Sequence, residues 1–415
     1  MTDQSNLKLE DYIRLANTER FVSITGSTTG RTLQVREFVY GAFVPDRNHP
    51  LSCVSVSNNS LSIDIWTGCA WQCRYCVAQG TLEDLGDNGR MSKKPMLRTK
   101  FSINEIVDAL MVHPFFVKDV SVLSIGTAST EPFAPGDVTE STFEIMNAFV
   151  RRGCQNPFWI VTKGGVPKGR KQDLAAIVDS VRGVMISLCW ADNPDMIEPV
   201  HNNRFLHAEE AKEAGATIAW YMRPIVSEWS GTEERIEMMM LWVKEHYRGV
   251  IDMIVPGGLR WTEGIENGLV EIYGLQIPDI PRDDNVKSLP DGLWDLIVRL
   301  AHKHFLDVPV YRHSSCALTK MLGVQNLTSV QVMARHDCEE SLCPAAQRRI
   351  CGKAGIHKLD ISEAQGILDS LGVPARVVHL MPRLVTEPSL YTFTYAIRQT
   401  VLKHLSLGGE TCTSK

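Results

Sequence analysis

Six short apolar runs alternate with stretches of helical period between residues 61 and 255, and this alternation restricts the fold more than any other feature. The runs are Leu61–Thr67, Val120–Ile125, Phe158–Thr162, Val184–Leu188, Thr217–Met222 and Ile251–Val255. Between them lie apolar positions spaced for helices over Asn104–Met111, Ser141–Arg152, Lys171–Val181, His207–Ala214 and Glu233–His246. Strands that alternate with helices pair in parallel, because each helix carries the chain back across the sheet. Six such units predict an α/β fold, a partial (β/α)6 TIM-type barrel with N-terminal and C-terminal extensions. In parallel barrels the reactive groups gather at the C-terminal ends of the strands.

The first of these strands runs into Gly68-Cys69-Ala70-Trp71-Gln72-Cys73-Arg74-Tyr75-Cys76, a C-x3-C-x2-C array. Three thiols on one short loop can wrap a single metal centre, and soft thiolates select zinc, Cu(I) or iron–sulfur. Structural zinc takes four ligands, usually as two separated pairs; here there are three and no neighbouring His. A cubane held by three cysteines keeps one iron open to a small molecule. The array, with an aromatic residue before its last Cys, resembles that of the radical S-adenosylmethionine (SAM) enzymes. That resemblance implies a [4Fe–4S] cluster on Cys69, Cys73 and Cys76 and SAM on the open iron. It also implies reductive cleavage of SAM to methionine and a 5′-deoxyadenosyl radical, which removes hydrogen from a substrate.

The other strand ends narrow the resemblance. They carry Ser129-Thr130-Glu131-Pro132, Val161-Thr162-Lys163, Ile186-Ser187, Glu198-Pro199 with Arg204 following, and Pro224-Ile225. Small hydroxyls and a carboxylate after the second strand can meet an ammonium group, and a strand-end Lys can pair with a carboxylate. In this order, over roughly residues 60–256, the set resembles the spore photoproduct lyase-like branch. By that resemblance Tyr75 lies against the adenine of SAM, and Ser129, Lys163 and Ser187 contact its methionine and ribose. Glu131 and Thr130 join the same shell. One departure stands out. The branch carries a hydrogen-donating Cys after the second strand, where this chain has Ala128-Ser129-Thr130. A hydroxyl O–H is much stronger than a thiol S–H, so Ser or Thr does not replace it. Cys154, at a predicted helix end, and Cys189, after the fourth strand and facing the reactive end, are the candidate thiols; the alternative is return of hydrogen from 5′-deoxyadenosine.

A second thiol set, Cys338, Cys343 and Cys351, follows a C-x4-C-x7-C spacing, with Cys316 and His336 as further ligand candidates. Four soft ligands close an auxiliary iron–sulfur cluster or a zinc site; three unligated thiols in a loop-rich region is the plainer alternative. Two basic runs, Arg90, Lys93, Lys94, Arg98 and Lys100, then Lys163, Lys168, Arg170 and Lys171, can meet phosphates. Trp190, Trp229 and Trp261 are available for base stacking. Solvated loops are the alternative there.

At 415 residues and 44% hydrophobic, the chain can bury a large core. Residues 1–58 read as an N-terminal extension, 59–258 as the barrel core and 259–415 as a C-terminal region. A long Pro/Asp-rich connection occupies about 260 to 300, and a seventh strand is expected at Val308–Tyr311. A net charge of −5 carries no global basic field for nucleic acid. Eleven Cys without disulfide-framework spacing, no signal peptide and no apolar run long enough for a bilayer suit a reducing cytoplasm. The expected activity is hydrogen abstraction from a nucleobase-type substrate, a modified pyrimidine in DNA or a nucleotide, followed by rearrangement or cleavage, so of lyase or isomerase type. A radical SAM enzyme of peptide or small-metabolite biosynthesis, and a non-catalytic iron–sulfur or zinc protein, are the alternatives. A reducing partner such as a flavodoxin or ferredoxin is implied, and no membrane.

Overall fold

The computed structural model describes residues 21–25, 32–36, 48–56, 59–76, 92–113, 116–127, 129–194, 197–198, 205–260, 265, 289, 292–324, 343–351, 360–370, 376–379 and 385–387. The strands are β1 (Phe21–Thr25), β2 (Thr32–Arg36), β3 (Val54–Val56), β4 (Leu61–Ile63), β5 (Trp66–Thr67), β6 (Met96–Leu97), β7 (Leu123–Ile125), β8 (Phe158–Thr162), β9 (Val184–Cys189), β10 (Thr217–Tyr221), β11 (Met253–Ile254), β12 (Arg376–His379) and β13 (Val385–Glu387). The helices are α1 (Ile103–Met111), α2 (Asp137–Arg151), α3 (Lys171–Ser180), α4 (Ala208–Glu213), α5 (Glu233–Tyr247), α6 (Leu293–His304), α7 (Ser314–Leu322), α8 (Ala345–Cys351) and α9 (Ile361–Ser370).

A seven-stranded sheet in the order β11-β10-β9-β8-β7-β4-β3 organises the chain. Its neighbours from β4 to β11 pair in parallel, and β3 closes one edge antiparallel. The strands are apolar on both faces, as strands buried on both sides must be. Ile160, Ile186, Leu188, Ile218 and Trp220 point to the cluster that α1 to α6 complete. The alternate positions Trp159, Met185, Ala219, Tyr221 and Met253 point the other way, where Tyr311, Ala317 and Leu318 fill the inner face. Helices on one face and a plugged interior on the other make this the expected partial (β/α)6 barrel.

The expected strands shorten where other partners take over the backbone's bonds. The first run divides after Ile63: Asp64 N–H still reaches Cys53 O beside β3, at 2.8 Å, and Trp66–Thr67 turns to pair with Met96–Leu97. The second begins only at Leu123, because Ser121 turns back to accept Val117 N–H at 2.9 Å. α2 starts four residues before the expected Ser141. Thr139 Oγ1 donates to Ala134 O at 2.7 Å and Thr142 Oγ1 to Val138 O at 3.0 Å, so a polar stretch is absorbed into the helix.

The expected connection through residue 300 is corrected at its end. Leu293–His304 forms α6, which packs Ile297, Leu300 and Ala301 into the outer core. The expected seventh strand is a single parallel bridge, Ile254 to Val310. Of the rest of that connection, residues 261–264, 266–288 and 290–291 lie outside the described residues. Within the N-terminal extension, β2 (Thr32–Arg36) pairs antiparallel with β1. Among the described residues no helix is long and apolar enough to cross a membrane.

Candidate active site

The three-thiol loop leaves β5 at the C-terminal end of the parallel sheet, and Gly68 is its hinge. Gly68 adopts φ +99°, and a Cβ there would come within 2.7 Å of Lys94 O, so no side chain fits. Its N–H donates to Ser129 O at 3.1 Å and its carbonyl accepts Thr130 Oγ1–H at 2.6 Å. Cys69 N–H reaches Ser92 O at 2.8 Å. Inside the loop, the buried Gln72 sits at φ +47° and donates from Nε2 to Cys69 O at 2.7 Å. Cys73 is buried, while Cys69 and Cys76 are half-buried.

Glu131 ties this loop to the next strand. Its buried carboxylate accepts Trp71 Nε1–H at 3.2 Å, Lys163 N–H at 2.9 Å, Phe133 N–H at 3.3 Å and the hydroxyl of Thr162. Burial lifts this carboxyl above its ordinary range, and the four donors oppose the shift.

A second network crosses the mouth from the loop to β8 and β9. Lys163 Nζ lies 2.5 Å from Glu198 Oε1 and donates to Tyr75 Oη at 2.5 Å. Tyr75 Oη in turn donates to Glu198 Oε2 at 2.5 Å. Asn193 Nδ2 donates to the same oxygen at 3.1 Å, and Ser230 Oγ donates to Asn193 Oδ1 at 3.0 Å. Glu198 is 2% exposed, so this ion pair sits in protein rather than water. Burial, with the Glu198 charge beside it, raises the Tyr75 hydroxyl well above its usual range. The Tyr75 ring packs on Ile197, Val226, Trp229 and Leu259.

The structure therefore brings Tyr75, Ser129, Thr130, Glu131 and Lys163 to one mouth with the thiol loop, and engages each in the scaffold. Ser129 Oγ lies 2.6 Å from Trp66 O and 3.1 Å from Asp64 Oδ1. Ser187 is fully buried on the inner face of β9 and accepts Trp159 Nε1–H at 2.9 Å. Cys189, at the end of β9, donates to Arg223 O at 3.7 Å and adds to the field at Cys73 and Tyr75.

The stacking expectation fails for the described tryptophans. Trp190 is packed against Phe205, Trp220 and Trp242, and Trp229 is 6% exposed. Both spend their rings on the core. Trp261, Arg90, Ala128, Arg204, His336 and Cys338 lie outside the described residues. Lys93, Lys94, Arg98 and Lys100 are exposed beside the loop, as is Lys168 beyond β8. Arg170 is half-buried and pairs with Glu140 at 3.2 Å, and Lys171 with Glu213 at 2.6 Å.

The donor chemistry of the loop suits a soft cationic centre. Burial, then Glu131 and the neighbouring thiols, raise the Cys69 thiol; burial, Glu198 and Cys76 push Cys73 up to about 12 against the pull of Lys163. Three thiolates so close repel one another, and a bound metal centre reverses that balance by deprotonating its ligands. Among the described residues no three His, Cys, Asp or Glu side chains are gathered at metal-site spacing. On the inner face, Cys316 and Cys343 pack beside Tyr311, whose hydroxyl burial and the nearby Cys343, Cys316 and Cys351 raise.

Asp64, Trp71, Gln72 and Asn193 were not singled out by the sequence. Each is an ordinary residue type within a loop or at a strand end, and only the folded contacts give it a place in the site.

No protein-family model and no curated protein matches the chain. Among solved structures, it is similar to a spore photoproduct lyase variant with bound AdoMet and dinucleoside spore photoproduct. The identity is 16% over 61% of this chain and 76% of that one, with a TM-score of 0.45. A second spore photoproduct lyase variant is 14% identical over 75% of this chain and 89% of that one, with a TM-score of 0.46. The FeFe-hydrogenase maturase HydG from Carboxydothermus hydrogenoformans is 14% identical over 63% of this chain and 55% of that one, with a TM-score of 0.38.

Proposed function

We propose that the protein is a radical SAM enzyme in which Cys69, Cys73 and Cys76 hold a [4Fe–4S] cluster. The observation that carries this reading is the seat of the three thiols, on one glycine-hinged loop at the C-terminal mouth of the parallel sheet. The cluster and SAM, when bound, supply one-electron cleavage of SAM to methionine and a 5′-deoxyadenosyl radical. The chain's own residues position and enclose this chemistry. Gly68, Ser129 and Thr130 hold the loop to β7, and Glu131 holds Trp71 to β8. Tyr75, Lys163 and Glu198 wall the mouth as one hydrogen-bonded unit.

The substrate we propose is of nucleobase type, a modified pyrimidine in DNA or a nucleotide, undergoing rearrangement or cleavage. Exposed Lys93, Lys94 and Lys100 beside the thiol loop support that choice by offering phosphate contacts. Cys189 is the thiol at this mouth that can return hydrogen to a substrate radical. A low-potential donor such as a flavodoxin or ferredoxin supplies the electron. Cys316, Cys343 and Cys351, beside Tyr311, are proposed with Cys338 as an auxiliary iron–sulfur or zinc site; metal analysis of a Cys69/Cys73/Cys76 triple Ala variant reads it in isolation.

Anaerobic reconstitution of the full chain tests the central reading. Iron should bind, and dithionite with SAM should yield 5′-deoxyadenosine; Cys73→Ala should abolish both. Wild-type 5′-deoxyadenosine production by Cys73→Ala would refute it.

A further inference from the structure

Among the described residues, Lys163 follows β8 and Arg223 follows β10 at the mouth, and the first of them is paired with a carboxylate. Lys163 is committed to Glu198 at 2.5 Å. Arg223 follows β10, in the alternation that places Tyr221 on the inner face and Met222 on the outer one. Its guanidinium lies over the Tyr221 ring, 4.1 Å from the centroid. Nη2 donates to Ser314 Oγ at 3.1 Å, at the start of α7. Nε is buried and donates to nothing, and no described carboxylate stands within ion-pair distance of this guanidinium.

The neighbouring strand end packs close to that guanidinium. Gly257 follows β11, and a Cβ on it would lie 3.1 Å from Arg223 Nε and 3.4 Å from Cζ. Any side chain there would press on the guanidinium and displace it. A half-buried guanidinium without a carboxylate carries an unmet electrostatic demand. Its planar fork suits an oxyanion of carboxylate or phosphate type, which accepts two parallel N–H bonds. Cys189 Sγ, at the end of β9, donates to the backbone carbonyl of this same Arg223 at 3.7 Å, so the residue is tied to the neighbouring strand end of the mouth.

We infer that Arg223, with its ring support on Tyr221 and no described carboxylate partner, is an anchor for an oxyanion entering the barrel mouth. The anion is a phosphate or carboxylate of the substrate, or the carboxylate of SAM; the second source rests on the function proposed above. The anchor itself stands without it, because it uses no residue of the thiol loop.

The test measures binding calorimetrically on the full chain, first without iron–sulfur reconstitution, using thymidine 5′-monophosphate, and then on reconstituted protein with SAM. Three variants are compared, Arg223→Gln, Arg223→Lys and Gly257→Ala. Arg223→Gln should weaken one of the two ligands by about tenfold to a hundredfold, the worth of a charge-assisted hydrogen bond. Arg223→Lys should recover only part, since an ammonium keeps the charge and loses the fork. Gly257→Ala should weaken the same ligand with Arg223 intact. Loss confined to the nucleotide assigns the anchor to substrate; loss confined to SAM assigns it to the cofactor carboxylate. Unchanged affinity for both ligands in Arg223→Gln, with melting temperature unchanged, would overturn the inference. So would equal weakening of both ligands together with a lowered melting temperature in all three variants, which marks a structural role only. Failure of the reconstituted protein to cleave SAM would refute the proposed function and leave the nucleotide measurement valid.

Discussion

Lys163 Nζ and Glu198 Oε1 stand 2.5 Å apart at the mouth of the barrel, joining the end of β8 to the segment after β9, with Glu198 almost wholly buried. Removing one member of a buried pair leaves its partner's charge uncompensated, which costs about 3–5 kcal/mol. Glu198→Gln should therefore destabilise the chain by that order in guanidinium unfolding. Lys163→Met combined with Glu198→Gln should lose less than Glu198→Gln alone. A double variant as unstable as the sum of its singles would show that the two charges do not act on each other.

Gly68→Ala should strain the thiol loop at its hinge. The φ of +99° disfavours a side chain, and the added Cβ meets Lys94 O at 2.7 Å. A cost of about 1–3 kcal/mol follows for forcing such a backbone. Lower thermal stability and reduced iron uptake on reconstitution should appear together; normal values of both would mean that the hinge tolerates a methyl group.

Glu131→Gln should loosen the loop from β8. The carboxylate accepts from Trp71, Thr162, Lys163 and Phe133, and an amide turns a donor toward one pair of them. Leaving buried donors unmet costs about 1–3 kcal/mol. Trp71→Phe removes one of these donors and should cost less. Equal stability of wild type and Glu131→Gln in urea would remove the strut from the account.

Glu237 joins α5 to α6 through Lys303 at 2.6 Å and His304 at 2.8 Å. The hydrogen bond from Lys303, then that from His304, holds its carboxyl below the usual range. A carboxyl whose folded pKa is lowered adds stability at neutral pH and loses it as pH falls through the folded value. Melting temperature should thus fall more steeply in acid for wild type than for Glu237→Gln. Parallel curves from pH 7 to pH 3 would show that the contact contributes nothing.

The sequence by itself determined the alternation of strands and helices, because buried parallel strands need unbroken apolar runs and their return helices need a helical period. It also placed the three thiols after the first strand, since their spacing is local. Local pattern did not separate Leu61–Ile63 from Trp66–Thr67, because the break depends on Trp66–Thr67 pairing with Met96–Leu97, some thirty residues on. α6 was hidden by the Pro/Asp-rich residues before it, although Leu293 and Ile297 carry a clear apolar stripe. At the mouth, the sequence nominated Lys163 and Glu131 by residue type and strand-end position. Only tertiary structure decided their partners: Glu198 comes from beyond β9, and Trp71 from the thiol loop. The same holds for Arg223. Whether a strand-end cation is paired or open depends on which acidic residues the fold brings within a few ångströms, and no spacing along the chain encodes that distance.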